Sequence, residues 1–158
     1  MLSTIHTVDG IEVVTRFRKL GISSYDIGSV LATTIAQRLV RRICPNCARK
    51  RDFTQQELDV FKTYAKRFDV EYNLEGKTTF EPVGCEHCNH TGFYGRIAAN
   101  EILSVTDDIK DLIIQDGTIT DIRKAAFEAG YRPLICDALQ KVIDGHTVVS
   151  EVRKKIGV

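Results

Sequence analysis

Two matched cysteine pairs, Cys44-Pro45-Asn46-Cys47 and Cys85-Glu86-His87-Cys88, constrain this chain more than any other feature. Cys-x-x-Cys spacing lets two thiolates grip one metal ion. Two such pairs complete a tetrahedral all-sulfur site, the usual arrangement for structural zinc. The 37 residues between the pairs exceed a compact zinc ribbon. Closing a loop, however, costs only about 0.6 kcal/mol more per doubling of its length. Two disulfides would need an oxidising compartment, and nothing at the N-terminus suggests export. Four unligated thiols are the remaining bland alternative, and iron in a sulfur site of the same shape is a minor rival to zinc.

The 158 residues suit one domain or two small ones. With 43% hydrophobic and 27% charged residues, a real core is expected and wholesale disorder is not. A formal charge of +1 argues against a protein that binds polyanions over its whole surface. The charge is uneven, however. Arg38, Arg41, Arg42, Arg49, Lys50 and Arg51 follow one another with no acidic residue among them. No apolar run is long enough to span a bilayer. The start Met1-Leu2-Ser3-Thr4-Ile5-His6 has neither the basic nor the long apolar region of a signal peptide. A cytosolic setting is therefore expected, and it suits reduced cysteines.

Met1 to Thr7 reads as the end of a buried strand, an opening abrupt enough to suggest a chain cut from something longer. Ile11, Val14 and Phe17 recur at helical spacing before Gly21. Ser23 and Ser24 offer caps for a second helix reaching about Val40, with Ile27, Leu31, Ile35 and Leu39 on its apolar face. Thr54-Gln55-Gln56-Glu57 matches a capping box and starts a helix bearing Leu58, Phe61, Ala65 and Phe68. That helix suits core packing better than partner binding. Lys77 to Val83 and Arg96 to Leu103 read as strands. Beyond Thr106 every window is helical. Thr106 caps one helix, with Asp107 and Asp108 in its positive first turn. Thr120 caps a second, Pro133 opens a third, and Thr147 caps a short last one. There is no internal repeat. Gly76-Lys77-Thr78 imitates the tail of a P-loop, but the glycine required at position 71 is Glu71. Without it the loop cannot wrap its amides around phosphates.

Several stretches resemble the secretion ATPase superfamily. Leu2-Ser3-Thr4-Ile5-His6-Thr7 is similar to its histidine box. Ala36-Gln37-Arg38-Leu39-Val40-Arg41-Arg42-Ile43-Cys44-Pro45-Asn46-Cys47 resembles the entry into the metal domain of its zinc-bearing members. Thr91-Gly92-Phe93-Tyr94-Gly95-Arg96 and Asn100-Glu101-Ile102-Leu103 are similar to the segment after the second cysteine pair, and Asp108-Ile109-Lys110-Asp111-Leu112-Ile113 to the following helix. The nearest groups are the type II secretion ATPases, of the general secretory pathway protein E kind, and the type IV pilus assembly ATPases. The resemblance implies an α/β protein, mostly α in this fragment. Residues 1–43 would end a RecA-like ATPase core, 44–95 would form a tetracysteine zinc-binding subdomain, and 96–158 a helical C-terminal subdomain. It also implies a hexameric motor at the inner face of the cell membrane, cytoplasmic and peripheral. Its partners would be its own copies and the inner-membrane secretion or pilus platform proteins, with no nucleic acid and no membrane insertion. ATP and magnesium would bind only the full-length parent, whose P-loop would lie upstream of Met1. The chain departs from the family's pattern at Val8, where Asn is usual, and at Ala98 and Ala99.

The candidate residues each have a sharp and a bland reading. In the family the histidine matching His6 lies near the γ-phosphate, which makes it a candidate phosphate sensor. As a lone histidine it would simply end a strand. Cys44, Cys47, Cys85 and Cys88 are the metal ligands. His87 and His90 flank the second pair and suit supporting or exposed positions better than ligation. His146 reads as a surface residue. Cys136, outside both pairs, reads as a small buried hydrophobe, since no base or oxyanion site for a catalytic cysteine is legible. Arg38 and Arg42, one helical turn apart, suit salt bridges at a subunit interface or nucleotide edge. Nucleic acid is disfavoured because no aromatic residue is interleaved for base stacking. Three function classes remain: part of a motor ATPase, a stand-alone zinc-binding nucleic-acid or adaptor module, and a redox or chaperone protein using Cys-x-x-Cys. The last lacks a thioredoxin-like βαβ pattern, and the second lacks a strong positive balance.

Overall fold

The computed structural model describes residues 3–157 as a mixed α/β protein. Its helices are α1 (Glu12–Lys19), α2 (Ser24–Val30), α3 (Gln55–Phe68), α4 (Asp107–Ile114), α5 (Ile119–Glu128), α6 (Leu134–Ile143) and α7 (Val149–Val152). Its strands are β1 (Thr33–Ile43), β2 (Ala48–Arg51), β3 (Thr79–Pro82) and β4 (Phe93–Ser104). A short 3-10 turn, Glu86–Cys88, carries the end of the second cysteine pair, and a π turn, Arg153–Gly157, ends the described chain. β1 pairs with β4 and β2 with β3. The β2–β3 pair is antiparallel, with Ala48 opposite Pro82 and Arg51 opposite Thr79.

Two compact units are interleaved along the sequence: residues 1–36 with 101–133, and residues 37–100 with 134–158. The first unit packs α1, α2, α4 and α5 around Ile11, Val14, Ile27, Leu103, Ile109, Ile113, Ile122, Ala126 and Tyr131. The second packs α3, α6 and α7 around Phe61, Leu139, Val142 and Val152. Phe61 meets Phe53 and Tyr72 edge to face, at 5.5 and 5.3 Å between ring centres, a favoured aromatic geometry. Cys136 is buried in this second core. The helices beyond Thr106 thus divide between the two units.

Local chemistry explains most boundaries. Thr54 and Glu57 form a reciprocal capping box: the Glu57 amide donates to Thr54 Oγ1 at 3.3 Å and the Thr54 amide to Glu57 Oε2 at 2.9 Å. Thr106 caps α4 as expected. Four expectations need correction. The second helix stops at Val30 and residues 33–43 form a strand. Thr33, Thr34 and Ile35 are β-branched, which favours extended backbone. Apolar positions four apart also satisfy a period of two as well as one of 3.6. Of the expected apolar face, Ile35 and Leu39 are exposed, while Thr34 and Val40 point inward. The cap of α5 is Thr118, which accepts the Asp121 amide at 3.2 Å, rather than Thr120. Thr147 does not cap α7; its hydroxyl donates to the Arg41 carbonyl at 2.8 Å. Residues 3–7 form no strand, and Ser3, Thr4 and His6 are exposed. Met1 and Leu2 lie outside the described residues.

Candidate metal centre

The four cysteines converge in the second unit. β1 ends at Ile43, the turn Cys44–Cys47 follows, and β2 starts at Ala48. The second pair sits on the 3-10 turn after β3. Antiparallel pairing of β2 with β3 brings the two knuckles together, since Ala48 and Pro82, each close to a pair, stand opposite one another. Backbone bonds shape each knuckle. The Ala48 amide donates to the Cys44 carbonyl at 3.0 Å, and the His90 amide to the Cys85 carbonyl at 2.8 Å. The Cys44 amide donates to the Gly92 carbonyl at 2.9 Å, tying the first knuckle to the exit of the second.

The four sulfurs all lie within 4.8 Å of one another. Cys44 to Cys85 is 3.9 Å, Cys47 to Cys88 is 3.8 Å, and Cys85 to Cys88 is 3.8 Å. A tetrahedron with zinc–sulfur bonds of about 2.3 Å has edges of about 3.8 Å. A disulfide needs about 2.05 Å, and none of these cysteines is bridged. The donor set therefore fits one tetrahedral metal ion. Cys44 and Cys88 are buried, as suits a closed structural site rather than one with an open catalytic position.

Backbone amides complete the shell. Gly84 donates to Cys47 Sγ at 3.3 Å, and Cys85 and Gly92 each donate to Cys88 Sγ at 3.2 Å. Such outer contacts stabilise thiolate ligands. Burial pushes the Cys88 thiol up, but the two amides and the neighbouring Cys85 and Cys47 outweigh it, and the group settles at about 6. Cys47 goes the other way, to about 12. Burial raises it most, the amide from Gly84 opposes, and the other three thiols add to the rise. Gly92 is demanded by its place: its φ is 74°, and a Cβ there would lie 2.5 Å from Pro82 Cβ. Any side chain would push away the amide that serves Cys88.

Neither His87 nor His90 belongs to the thiol cluster. His87 is exposed and lies against the Tyr94 ring at 4.1 Å. His146 is half-buried, and its carbonyl accepts the Ile43 amide at 2.9 Å. Arg38 and Arg42 lie on β1, so they are not one helical turn apart; four strand residues span about 13 Å. Both are exposed, and neither forms an ion pair among the described residues. The basic residue that does pair is Arg41. Its Nη2 meets Glu151 Oε2 at 2.6 Å, its amide donates to Glu151 Oε1 at 3.2 Å, and its guanidinium lies 3.9 Å from the centre of the Phe93 ring. Glu151 is buried. Burial raises its carboxyl, but the hydrogen bonds and charge of Arg41 prevail and hold it below the usual carboxylate range. No local pattern marks this pair, whose members stand 110 residues apart.

A family model described as type II/IV secretion system protein matches residues 1–154. The type II secretion system protein E of Aeromonas hydrophila is 33% identical over 154 residues, covering 96% of this chain and 28% of the relative. The type IV pilus assembly ATPase PilB of Acinetobacter baylyi is 32% identical over 155 residues, 98% of this chain and 26% of the relative. The PilB of Thermus thermophilus is 31% identical over 153 residues, 96% of this chain and 16% of the relative. The chain thus spans well under a third of the length of these curated relatives. No helix among the described residues is long and apolar enough to cross a membrane.

Proposed function

This chain belongs to the type II/IV secretion system protein family, and from that premise we propose that it is the zinc-bearing C-terminal part of a hexameric motor ATPase that powers type II protein secretion or type IV pilus assembly. The observation that carries the reading is the family match over nearly the whole chain, to which the four-sulfur cluster adds its own support. In functional terms residues 1–43 end a RecA-like core, 44–95 form the metal-bearing subdomain and 96–158 the helical C-terminal subdomain. The parent works in the cytoplasm against the inner-membrane platform of its machinery, with ATP and magnesium as its nucleotide ligands.

The division of labour follows from the chemistry present. Zinc, when bound, supplies a cross-link rather than a reaction centre. Cys44, Cys47, Cys85 and Cys88 hold it, and the amides of Gly84, Cys85 and Gly92 keep the thiolates oriented. Phosphate affinity in such motors comes from the P-loop amides, its lysine and magnesium, so this chain by itself is expected to bind ATP no tighter than millimolar. Its nucleotide-facing contribution is His6, exposed in the segment before α1 and suited to hydrogen-bond a γ-phosphate oxygen or the attacking water. A contact made with ATP and lost with ADP is what a sensor requires. Arg38 and Arg42, exposed on β1, reach a subunit interface or the nucleotide's edge.

The test is His6→Ala in the full-length hexamer. A charge-assisted hydrogen bond is worth roughly 1.5–3 kcal/mol, so ATP turnover should fall about ten- to a hundredfold with zinc content and thermal stability unchanged. Unchanged turnover would remove His6 from the mechanism. Absence of ATP hydrolysis by the wild-type parent would contradict the functional reading as a whole.

A further inference from the structure

The segment that follows His6 is fastened at one residue by two distant side chains. The Gly10 amide donates to Glu101 Oε1 at 2.7 Å, and the Thr34 hydroxyl donates to the Gly10 carbonyl at 2.9 Å. Both backbone groups of one glycine are thereby held by partners 91 and 24 residues away. Glu101 is 4% and Thr34 7% exposed, so the two contacts are shielded from water. Glu101 comes from β4 and Thr34 from β1. Tyr131 is a further partner of the Glu101 carboxylate: burial first, then the hydrogen bond and charge of Glu101, raise the tyrosine hydroxyl above its ordinary range.

Asp9 adds a second fastening beside the first. Its Oδ1 accepts the amides of Ile11 and Glu12 at 3.0 and 2.8 Å, which starts α1. Its Oδ2 accepts both Arg123 Nη1 and Nη2 at 3.0 Å. The Thr7 hydroxyl donates to the Asp9 carbonyl at 2.9 Å. The Gly10 backbone is thus held to β1 and β4, and Asp9, which caps the start of α1, is held to α5 through Arg123. A side chain at position 10 would force Thr34 to move. An added Cβ would lie 2.7 Å from Thr34 Oγ1 and 3.3 Å from Glu101 Oε1, closer than such atoms pack.

A buried carboxylate is costly unless its oxygens are hydrogen-bonded; this one is met by the Gly10 amide and by Tyr131, and an apolar residue at position 101 would leave the Gly10 amide without its acceptor. The short bond from the Gly10 amide to Glu101 fixes the direction of that amide. We infer that Glu101 is a positioning residue: with Thr34 it fixes Gly10 and so sets where the exposed His6 stands. The inference rests on the motor-ATPase reading given above and adds to it the residue that places its sensor. Glu101 touches no nucleotide itself. It acts through the backbone between Gly10 and His6, where a misplacement of about 1 Å can cost on the order of a hundredfold in rate.

The test uses the full-length protein with Glu101→Ala, Glu101→Gln and Thr34→Val, alongside His6→Ala. Glutamine keeps the shape and an oxygen that accepts from Gly10; alanine keeps neither. Amide hydrogen exchange at Gly10 should quicken at least tenfold in Glu101→Ala and stay within about threefold of wild type in Glu101→Gln. ATP turnover should fall about tenfold in Glu101→Ala with the KM for ATP within about twofold and zinc content unchanged, and glutamine should restore at least half of it. Combining Glu101→Ala with His6→Ala should lower turnover no further than His6→Ala alone, because both remove the same contact. Thr34→Val, which deletes one hydroxyl at nearly constant volume, guards against a misfolded alanine variant and should lower turnover without changing KM. Unchanged turnover in Glu101→Ala, or a glutamine variant as slow as alanine, overturns the positioning role while leaving the motor reading intact. A wild-type protein without ATP turnover overturns both.

Discussion

The first unit and the cysteine knuckles of the second solve the same problem with different materials. The first unit buries isoleucines from α2, α4, α5 and the start of α1: Ile11, Ile27, Ile109, Ile113 and Ile122 are each no more than 1% exposed. Among the described residues, neither apolar core includes any residue from 37–52 or 75–98, the stretches that carry all four metal-site cysteines. There the paired strands β2 and β3 have four residues each, and a two-stranded pair of that size is marginal in water. Apolar burial holds one region, and the other offers four sulfurs placed to hold a metal ion. If the four sulfurs are loaded, a single 158-residue chain draws on two sources of stability whose failures should be separable.

The largest expected effect breaks the sulfur side of that contrast. Structural zinc supplies on the order of 10 kcal/mol of apparent folding free energy in small domains. Cys85→Ser, or exhaustive chelation, should therefore release the amides of Gly84 and Gly92 to rapid hydrogen exchange, while the amides inside α4 and α5 keep their protection. Equal loss in both regions would show that the metal stabilises the whole chain as one body.

The reciprocal change attacks the apolar side. Ile113→Ala removes a fully buried side chain and should cost about 2–5 kcal/mol, read as a lower denaturant midpoint for the helical signal, with zinc content at the wild-type level. Loss of zinc together with the helices would erase the distinction.

A smaller effect sharpens the picture within the second unit. Arg41→Met leaves the Glu151 carboxylate buried without its cation and should cost about 1.5–3 kcal/mol near neutral pH. The sign with pH follows from the depressed carboxyl of Glu151. A folded value below the unfolded one gives stability that is present above the unfolded carboxylate range, near 4.3, and is lost as pH falls through the folded value. The difference between wild type and Arg41→Met should therefore shrink in acid. A gap that stays constant from pH 7 down to pH 3 would mean that the pair contributes packing rather than charge.

What the sequence revealed follows the range of the interactions involved. The cysteine spacing was legible because ligation demands a fixed local pattern, and the Thr54–Glu57 capping box because it closes within three residues. α2 was overextended because Ile27, Leu31, Ile35 and Leu39 fit both a helix and a strand, and only the neighbouring Thr33 and Thr34 tilt the balance. The cap of α5 could have been read correctly: Thr118-Ile119-Thr120-Asp121 places an acid three residues after Thr118, whereas the residue three after Thr120 is Arg123. Glu101 beneath Gly10 and Glu151 beneath Arg41 had no local signature at all. Their partners are 91 and 110 residues away, and only the fold brings them together.

The most direct test of the sulfur-held region is elemental analysis of the protein purified without added metal, combined with thiol titration under native conditions. The four sulfurs at tetrahedral separations predict close to one zinc per chain, with Cys44, Cys47, Cys85 and Cys88 unreactive until a chelator is added. Less than about a quarter equivalent of zinc, with all four thiols titrating at once, would contradict it.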